Sequence, residues 1–213
     1  MTIKKMVIIA ILSAMAVVSN ILLHFPLVPA VPFMMYDPKD IIIVIGGFIF
    51  GPLIAFGISA ITSVVEIFYH GGNYIDIFMN IISTCAFACT ASFIYKKMKN
   101  KKGAIIGLAS GIIFSCAIML LWNYIVTPVY YELPREVVVD LMLPGILPFN
   151  LLKNSLNAAV ALLLYKPVVT ILRSSNLLEQ SQNKGKLSVG LILIAIFVLL
   201  TVIMIILVIN GIL

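Results

Sequence analysis

Apolar runs long enough to cross a bilayer follow one another along almost all of this 213-residue chain, with lysines or arginines beside many of their ends. A hydrocarbon core of about 30 Å is spanned by roughly 20 apolar residues in a helix. Water is absent there, so backbone groups must pair within the segment, and continuous runs of this kind fold as helices. Only 10% of the residues are charged and 62% are hydrophobic, whereas soluble domains carry roughly a quarter charged residues. Mean hydropathy is +1.19. The expected class is therefore an all-α polytopic membrane protein in which no water-soluble domain can be cut out.

The first span is expected over about 6–25. Lys4 and Lys5 before it superficially resemble a secretory leader, but no small-residue cleavage site follows, so the run reads as a retained span. In the next segment, "PLVPAVPFMMYDPKD", four prolines forbid a continuous helix and predict a stiff, partly apolar loop. From Asp40 to Tyr69 the chain is apolar for about thirty residues, more than one span requires.

Charge decides how that run divides. As a single helix it would put Lys4 and Lys5 on the opposite side from the cluster "KKMKNKK" at 96–102, against the preference of Lys and Arg for the cytoplasm. A break at Gly51-Pro52 puts both inside. The first half, about 38–50, is then only around 20 Å long and needs to be tilted or thinly covered by lipid. Further spans are expected over 76–95, 103–127 and 143–173, with an outer polar loop "PVYYELPREVVVD" before the last. A charged linker "RSSNLLEQSQNKGK" and a final run from Leu187 to about Ile209 follow, giving six core helices plus one appended span.

On this topology Lys4, Lys5, Lys96, Lys97, Lys99, Lys101, Lys102, Lys166, Arg173, Lys184 and Lys186 are cytoplasmic, as is the N-terminus, and Arg135 alone lies clearly outside. Asp37, Asp40, Asp76, Glu132, Glu136 and Asp140 lie at the outer rim. The net charge of +6 is thus a topology signal and not a nucleic-acid one. Cys85, Cys89 and Cys116 sit in apolar runs and read as small packing residues. The chain has no GxxxxGK[ST], HExxH or GxSxG, and His24 and His70 each stand alone, so neither ATP hydrolysis nor metal or serine chemistry is indicated.

The stretch "LPFNLLKNSLNAAVALLLY" departs from this greasy pattern. Asn150, Lys153, Asn154 and Asn157 fall at i, i+3, i+4 and i+7, a single helical stripe. An ionisable group at a helix centre costs about 2.5–3.5 kcal/mol on insertion scales and faces a partner, cavity or substrate. Lys153 could instead snorkel to the headgroups while the asparagines staple helices. Three amides and one amine on one face favour the wall of a binding cavity. Pro144, Gly145 and Pro148 loosen the backbone just before it.

A second polar group, Trp122, Asn123, Tyr124 and Thr127, gathers near the outer end of the fifth helix and suits a flat heteroaromatic ligand, although an aromatic interface belt would also use such rings. In the proline-rich loop Phe33, Met34, Met35 and Tyr36 could cap a cavity or rest on the membrane, and Asp37 or Asp40 could accept or position the loop. On the first helix "AILSA" sets Ala10 and Ala14 four apart, a spacing that permits close helix approach, with internal packing as the default.

"AILSA" in the first helix, with "VPAVPFMMYDPKDI", "NYIVTPVYY" and "PREVVVDLMLPGILPFNLLKNSLNA" following in this order and spacing, resembles over about residues 1–175 the substrate-binding S components of energy-coupling-factor (ECF) vitamin transporters, in particular the riboflavin-binding type. The resemblance implies a six-helix bundle, 1–175, that binds riboflavin from outside beneath the first loop. It implies no reaction and no cofactor. Partners would be a transmembrane coupling protein and two ATPases, docked through Ala10 and Ala14. Asn123, Asn150 and Lys153 match positions that would hydrogen-bond the ligand. Riboflavin is neutral, flat and rich in hydroxyls, so it needs an apolar slot with several donors and acceptors. The cytoplasmic linker, 176–186, and the helix in 187–213 are not part of that six-helix core.

Other readings stay open at this level. Another vitamin or a flavin analogue could occupy the same pocket. A membrane enzyme could use Lys153 with Asp40 or Glu66 as acid and base on a lipid or polyprenyl substrate, and an assembly protein could use the polar stripe only to bind neighbouring helices.

Overall fold

The computed structural model describes residues 2–175, 177–178 and 189–212. Helix α1, Ile3–Leu22, leads into a two-stranded hairpin of β1, Phe25–Pro26, and β2, Met35–Tyr36. The strands are antiparallel, with Phe25 opposite Tyr36 and Pro26 opposite Met35. Then come α2, Lys39–Phe50, and α3, Pro52–His70. Helix α4, Tyr74–Met98, α5, Lys101–Tyr130, α6, Arg135–Ser174, and α7, Val189–Ile209, complete the described chain. Six of the seven helices, all but α2, are long and apolar enough to cross a membrane.

The thirty-residue apolar run breaks at the expected place. Gly51 has φ 97°, a region open to glycine and strained for L side chains. Pro52 sits in the first turn of α3, where its missing N–H removes no helical hydrogen bond. Helix α2 is thus only 12 residues long, about 18 Å at 1.5 Å per residue. Its shortness is accommodated by enclosure, since nine of its residues, among them Ile43, Val44 and Ile45, are buried by surrounding helices.

Without a strong hydrophobic force between helices in lipid, close backbone approach supplies the packing. Gly107 and Gly111, one turn apart on α5, meet α4 in this way. A Cβ at either position would come within 2.6 Å of a backbone carbonyl oxygen, that of Ala91 or that of Phe87. The same stretch of α4 contains a π-turn at Cys85–Cys89. Large apolar side chains such as Leu53, Phe68, Ile113 and Phe197 face outward, as the outer surface of a membrane bundle requires.

Two expectations change. The first loop is stiffened by a hairpin as well as by its prolines. The segment "PVYYELPREVVVD" is mostly helical: α5 extends through Tyr130, and α6 begins at Arg135 and continues through a π-turn at Met142–Ile146. Successive valines weaken helix propensity, but Val138 is wholly buried against the hairpin loop, and that packing overrides propensity. The expected linker over 176–186 lies, apart from Leu177 and Leu178, outside the described residues.

Candidate ligand-binding site

The C-terminal ends of α1, α3 and α5 meet the segment entering α2 and the N-terminal parts of α4 and α6 around a cavity of about 300 Å³, at the small end of the range of roughly 300–1,000 Å³ for ligand sites. Its wall combines rings and methionines (Phe33, Met34, Met79, Met119, Trp122, Tyr130, Tyr131 and Phe149) with Asn80, Asn123, Thr127, Asn150, Asp37, Glu66 and Lys153.

The polar stripe on α6 is turned inward. Asn150, Lys153, Asn154 and Asn157 are all buried, Lys153 being 5% exposed, so the lysine does not snorkel. Its Nζ lies 3.3 Å from Asp37 Oδ2 and 3.7 Å from Asp40 Oδ2. Lys39, on the first turn of α2, sits 3.5 Å from the same Asp37 oxygen and donates to Glu66. Asn80 Nδ2 donates to Glu66 at 3.0 Å, and Thr84 Oγ1 donates to Asp40 Oδ1 at 2.6 Å. Two cations therefore face three carboxylates. Buried charges are tolerated when paired and hydrogen-bonded in this way. Asp37 Oδ1 is buried and accepts no hydrogen bond, and Asp37 lines the cavity.

Nine of the residues expected at the site line the cavity: Phe33, Met34, Met35, Asp37, Trp122, Asn123, Thr127, Asn150 and Lys153. Tyr36, Asp40, Asn154 and Asn157 stand one layer behind it. Tyr36 donates its hydroxyl to Asn157 Oδ1 at 2.8 Å, and Asn154 Nδ2 donates to Ser115 at 3.1 Å. Tyr124 points away, its ring beneath the Arg135 guanidinium at 5.1 Å. Asn123 and Thr127 form a local pair: Thr127 Oγ1 donates to Asn123 Oδ1, while Asn123 Nδ2 donates back to the Met119 carbonyl, both at 2.8 Å. Ala10 and Ala14 are exposed on the outer face of α1 and not packed inside the bundle, contrary to the default expectation for such a pair.

Sequence reasoning misses several wall residues. His24 and His70, isolated in the sequence, stack with ring centroids 3.8 Å apart and both line the cavity. Burial, and then the neighbouring His70, hold the His24 imidazole below its ordinary pKa of 6.5. Lys39 reads as a loop charge within "DPKD", and Asp76 reads only as a topology marker, although it accepts from the Tyr130 hydroxyl at 2.8 Å. The one available signal was Glu66, an acid inside an apolar run, which implies a buried partner. Among the described residues no group of histidine, cysteine and acidic side chains is arranged to hold a metal ion.

A larger cavity of about 590 Å³ opens at the other end of the bundle, where Lys4, Lys5 and Arg173 meet Phe48, Ile49 and Tyr165. Its wall is basic and has no asparagine or carboxylate from the described residues, so the smaller cavity is the one built for a neutral polar ligand.

A bundle of apolar helices with a polar and aromatic cavity at one end defines a membrane solute-binding component. The chain belongs to the family described as "ECF transporter, substrate-specific component", whose model matches residues 4–165. That is a family of transporter subunits and not of enzymes, which removes catalysis by Lys153 with Asp40 or Glu66.

Among its relatives is the riboflavin transporter RibU of Staphylococcus aureus (strain TCH60), 27% identical over 177 residues, covering 80% of this chain and 93% of the relative. The riboflavin transporter FmnP of Bacillus subtilis (strain 168) is 29% identical over 191 residues, covering 83% of this chain and all of the relative. A solved structure described as the S component of a bacterial ECF transporter matches with a TM-score of 0.69 at 27% identity, over 80% of this chain and 98% of that one.

Proposed function

We propose that this chain is the riboflavin-binding subunit of an ECF-type importer, capturing the vitamin from outside and delivering it inward when docked on a transmembrane coupling protein with two ATPases. Residues 1–175 form the binding domain on this reading. The observation that carries it is the cavity itself: ring and methionine side chains share its wall with asparagine amides, Lys153 and Asp37. A flat tricyclic ring would lie between the apolar walls. Its polar edge and hydroxylated chain would exchange donors and acceptors with Asn123, Asn150, Lys153 and Asp37. The similarity to riboflavin transporters supports the choice of vitamin.

The charge distribution supports the orientation. Asp37, Asp40, Glu66 and Asp76 cluster at the cavity end, and Lys4, Lys5, Arg173 and the 96–102 lysines at the other. With Lys and Arg retained in the cytoplasm, the cavity opens outward and the N-terminus lies inside. The exposed Ala10 and Ala14 leave α1 a flat strip onto which a partner helix can pack.

Riboflavin fluorescence tests the reading. Detergent-purified protein should quench added riboflavin at one site per chain, and Asn150→Leu should weaken the quenching at least tenfold while the protein stays folded. Protein that neither quenches riboflavin nor gains thermal stability from it, while doing so with another vitamin, would move the assignment to that vitamin.

A further inference from the structure

Helix α7 lies beyond the residues that the family model matches and contributes none of the cavity wall. Yet it is not simply a tether. Ala195, Val198, Val202, Ile206 and Asn210 recur every three or four residues and so form one stripe along the helix. Ala195 and Val202 are the buried residues of α7. Val202, with Val198 and Ile206 beside it, belongs to the apolar cluster that Leu27, Val28 and Val31 of the hairpin loop share with Val138, Ile146, Phe149 and Leu152 of α6. One turn on, Asn210 Nδ2 donates to the Leu27 carbonyl at 3.0 Å and to the Ile206 carbonyl at 2.8 Å, using both of its N–H groups.

The loop held in this way is the segment between α1 and α2, whose other face covers the cavity through His24, Phe33, Met34 and Asp37. Its second support is α6, where Val31 is seated so closely that a Cβ on Gly145 would lie 2.5 Å from Val31 Cγ1. The loop is therefore wedged between α6 and α7 and can lift from the cavity only by leaving both.

We propose that α7 is a positioning element that clamps the covering loop from behind, through Val202 and Asn210, and thereby sets how fast a bound solute escapes. Neither residue touches the solute. The inference rests on the riboflavin reading only for its ligand readout, and the loop can be followed without any ligand.

The experiment uses the full chain in detergent, as wild type, Asn210→Leu and the double variant Val202→Ala, Asn210→Leu. Hydrogen exchange of ligand-free protein should accelerate over residues 24–36 in the variants while α3, α4 and α5 keep their protection. In stopped flow, riboflavin should leave the double variant about tenfold faster, the loss of roughly one hydrogen bond and part of one buried side chain, with the association rate within about twofold of wild type. Unchanged exchange over 24–36, or acceleration spread evenly over the whole bundle, would overturn the clamp. If the wild type fails to bind riboflavin, the vitamin assignment falls while the exchange measurement still decides the role of α7.

Discussion

The hydroxyl of Tyr36 donates to Asn157 Oδ1 at 2.8 Å, pinning the last residue of the loop hairpin to the inner end of the polar stripe on α6. Both residues are buried, so this bond couples the covering loop to α6 one layer behind the cavity. Tyr36→Phe removes the donor and leaves an amide oxygen unsatisfied, at a cost of about 1–3 kcal/mol. Faster ligand dissociation from a protein that still folds is the expected result, and identical dissociation rates in the two proteins would show that the bond does not restrain the loop.

The carboxylates at the cavity floor depend on Lys153. Replacing it with methionine leaves Asp37 and Asp40 facing each other without their shared cation, and breaking a buried pair from one side costs about 3–5 kcal/mol. Lys153→Met should therefore lower the melting temperature sharply, and adding Asp40→Asn should recover a substantial part of the loss, because Asp40 is the carboxylate that loses its ion pair with Lys153 while Asp37 keeps Lys39 at 3.5 Å. A double variant no more stable than the single one would mean that Lys153 acts through packing and not through charge.

Docking can be separated from binding. Ala10→Trp with Ala14→Trp adds two rings to a surface that already faces outward, so riboflavin quenching should be unchanged while uptake by cells expressing the energising module falls to background. Should quenching fall as well, α1 would be supporting the cavity through that face, and the docking role would have to move elsewhere.

The His24–His70 stack supplies a pH dependence. His24 lies outside the spanning helices, between α1 and the hairpin, and its folded pKa is depressed by burial first and by His70 second; Lys39 also lowers it, while Asp37 and Glu66 partly oppose the shift. A histidine held neutral when folded binds its proton more readily when unfolded. Stability is then full above the unfolded value of about 6.5 and declines as pH falls through it towards the folded pKa. Thermal unfolding followed from pH 7.5 to 5 should fall more steeply in the wild type than in His24→Phe. Parallel curves would remove this pair from the account.

Much of the architecture was legible because lipid imposes a simple rule. The succession of spans and the break at Gly51-Pro52 followed from chain length and from proline and glycine stereochemistry. The inward face of the α6 stripe was legible too, since only an interior space accommodates Asn150, Lys153, Asn154 and Asn157 on one side of a helix. What escaped were pairings across large sequence separations. His24 meets His70 and Lys39 meets Glu66 only after α1, α2 and α3 pack, and the helical course of 135–141 depends on burying Val138 beneath a loop more than a hundred residues earlier.

The sequence by itself determined that the chain is a membrane bundle carrying one polar stripe, because a bilayer leaves apolar helices no alternative fold, and it favoured enclosure of that stripe over a lysine snorkelling to the headgroups. Tertiary structure alone decided which charges neutralise one another, which side chains of the stripe reach the cavity and which stand behind it, and that the appended helix grips the loop. Those outcomes depend on distances of a few ångströms between helices remote in sequence, and no local pattern encodes such distances.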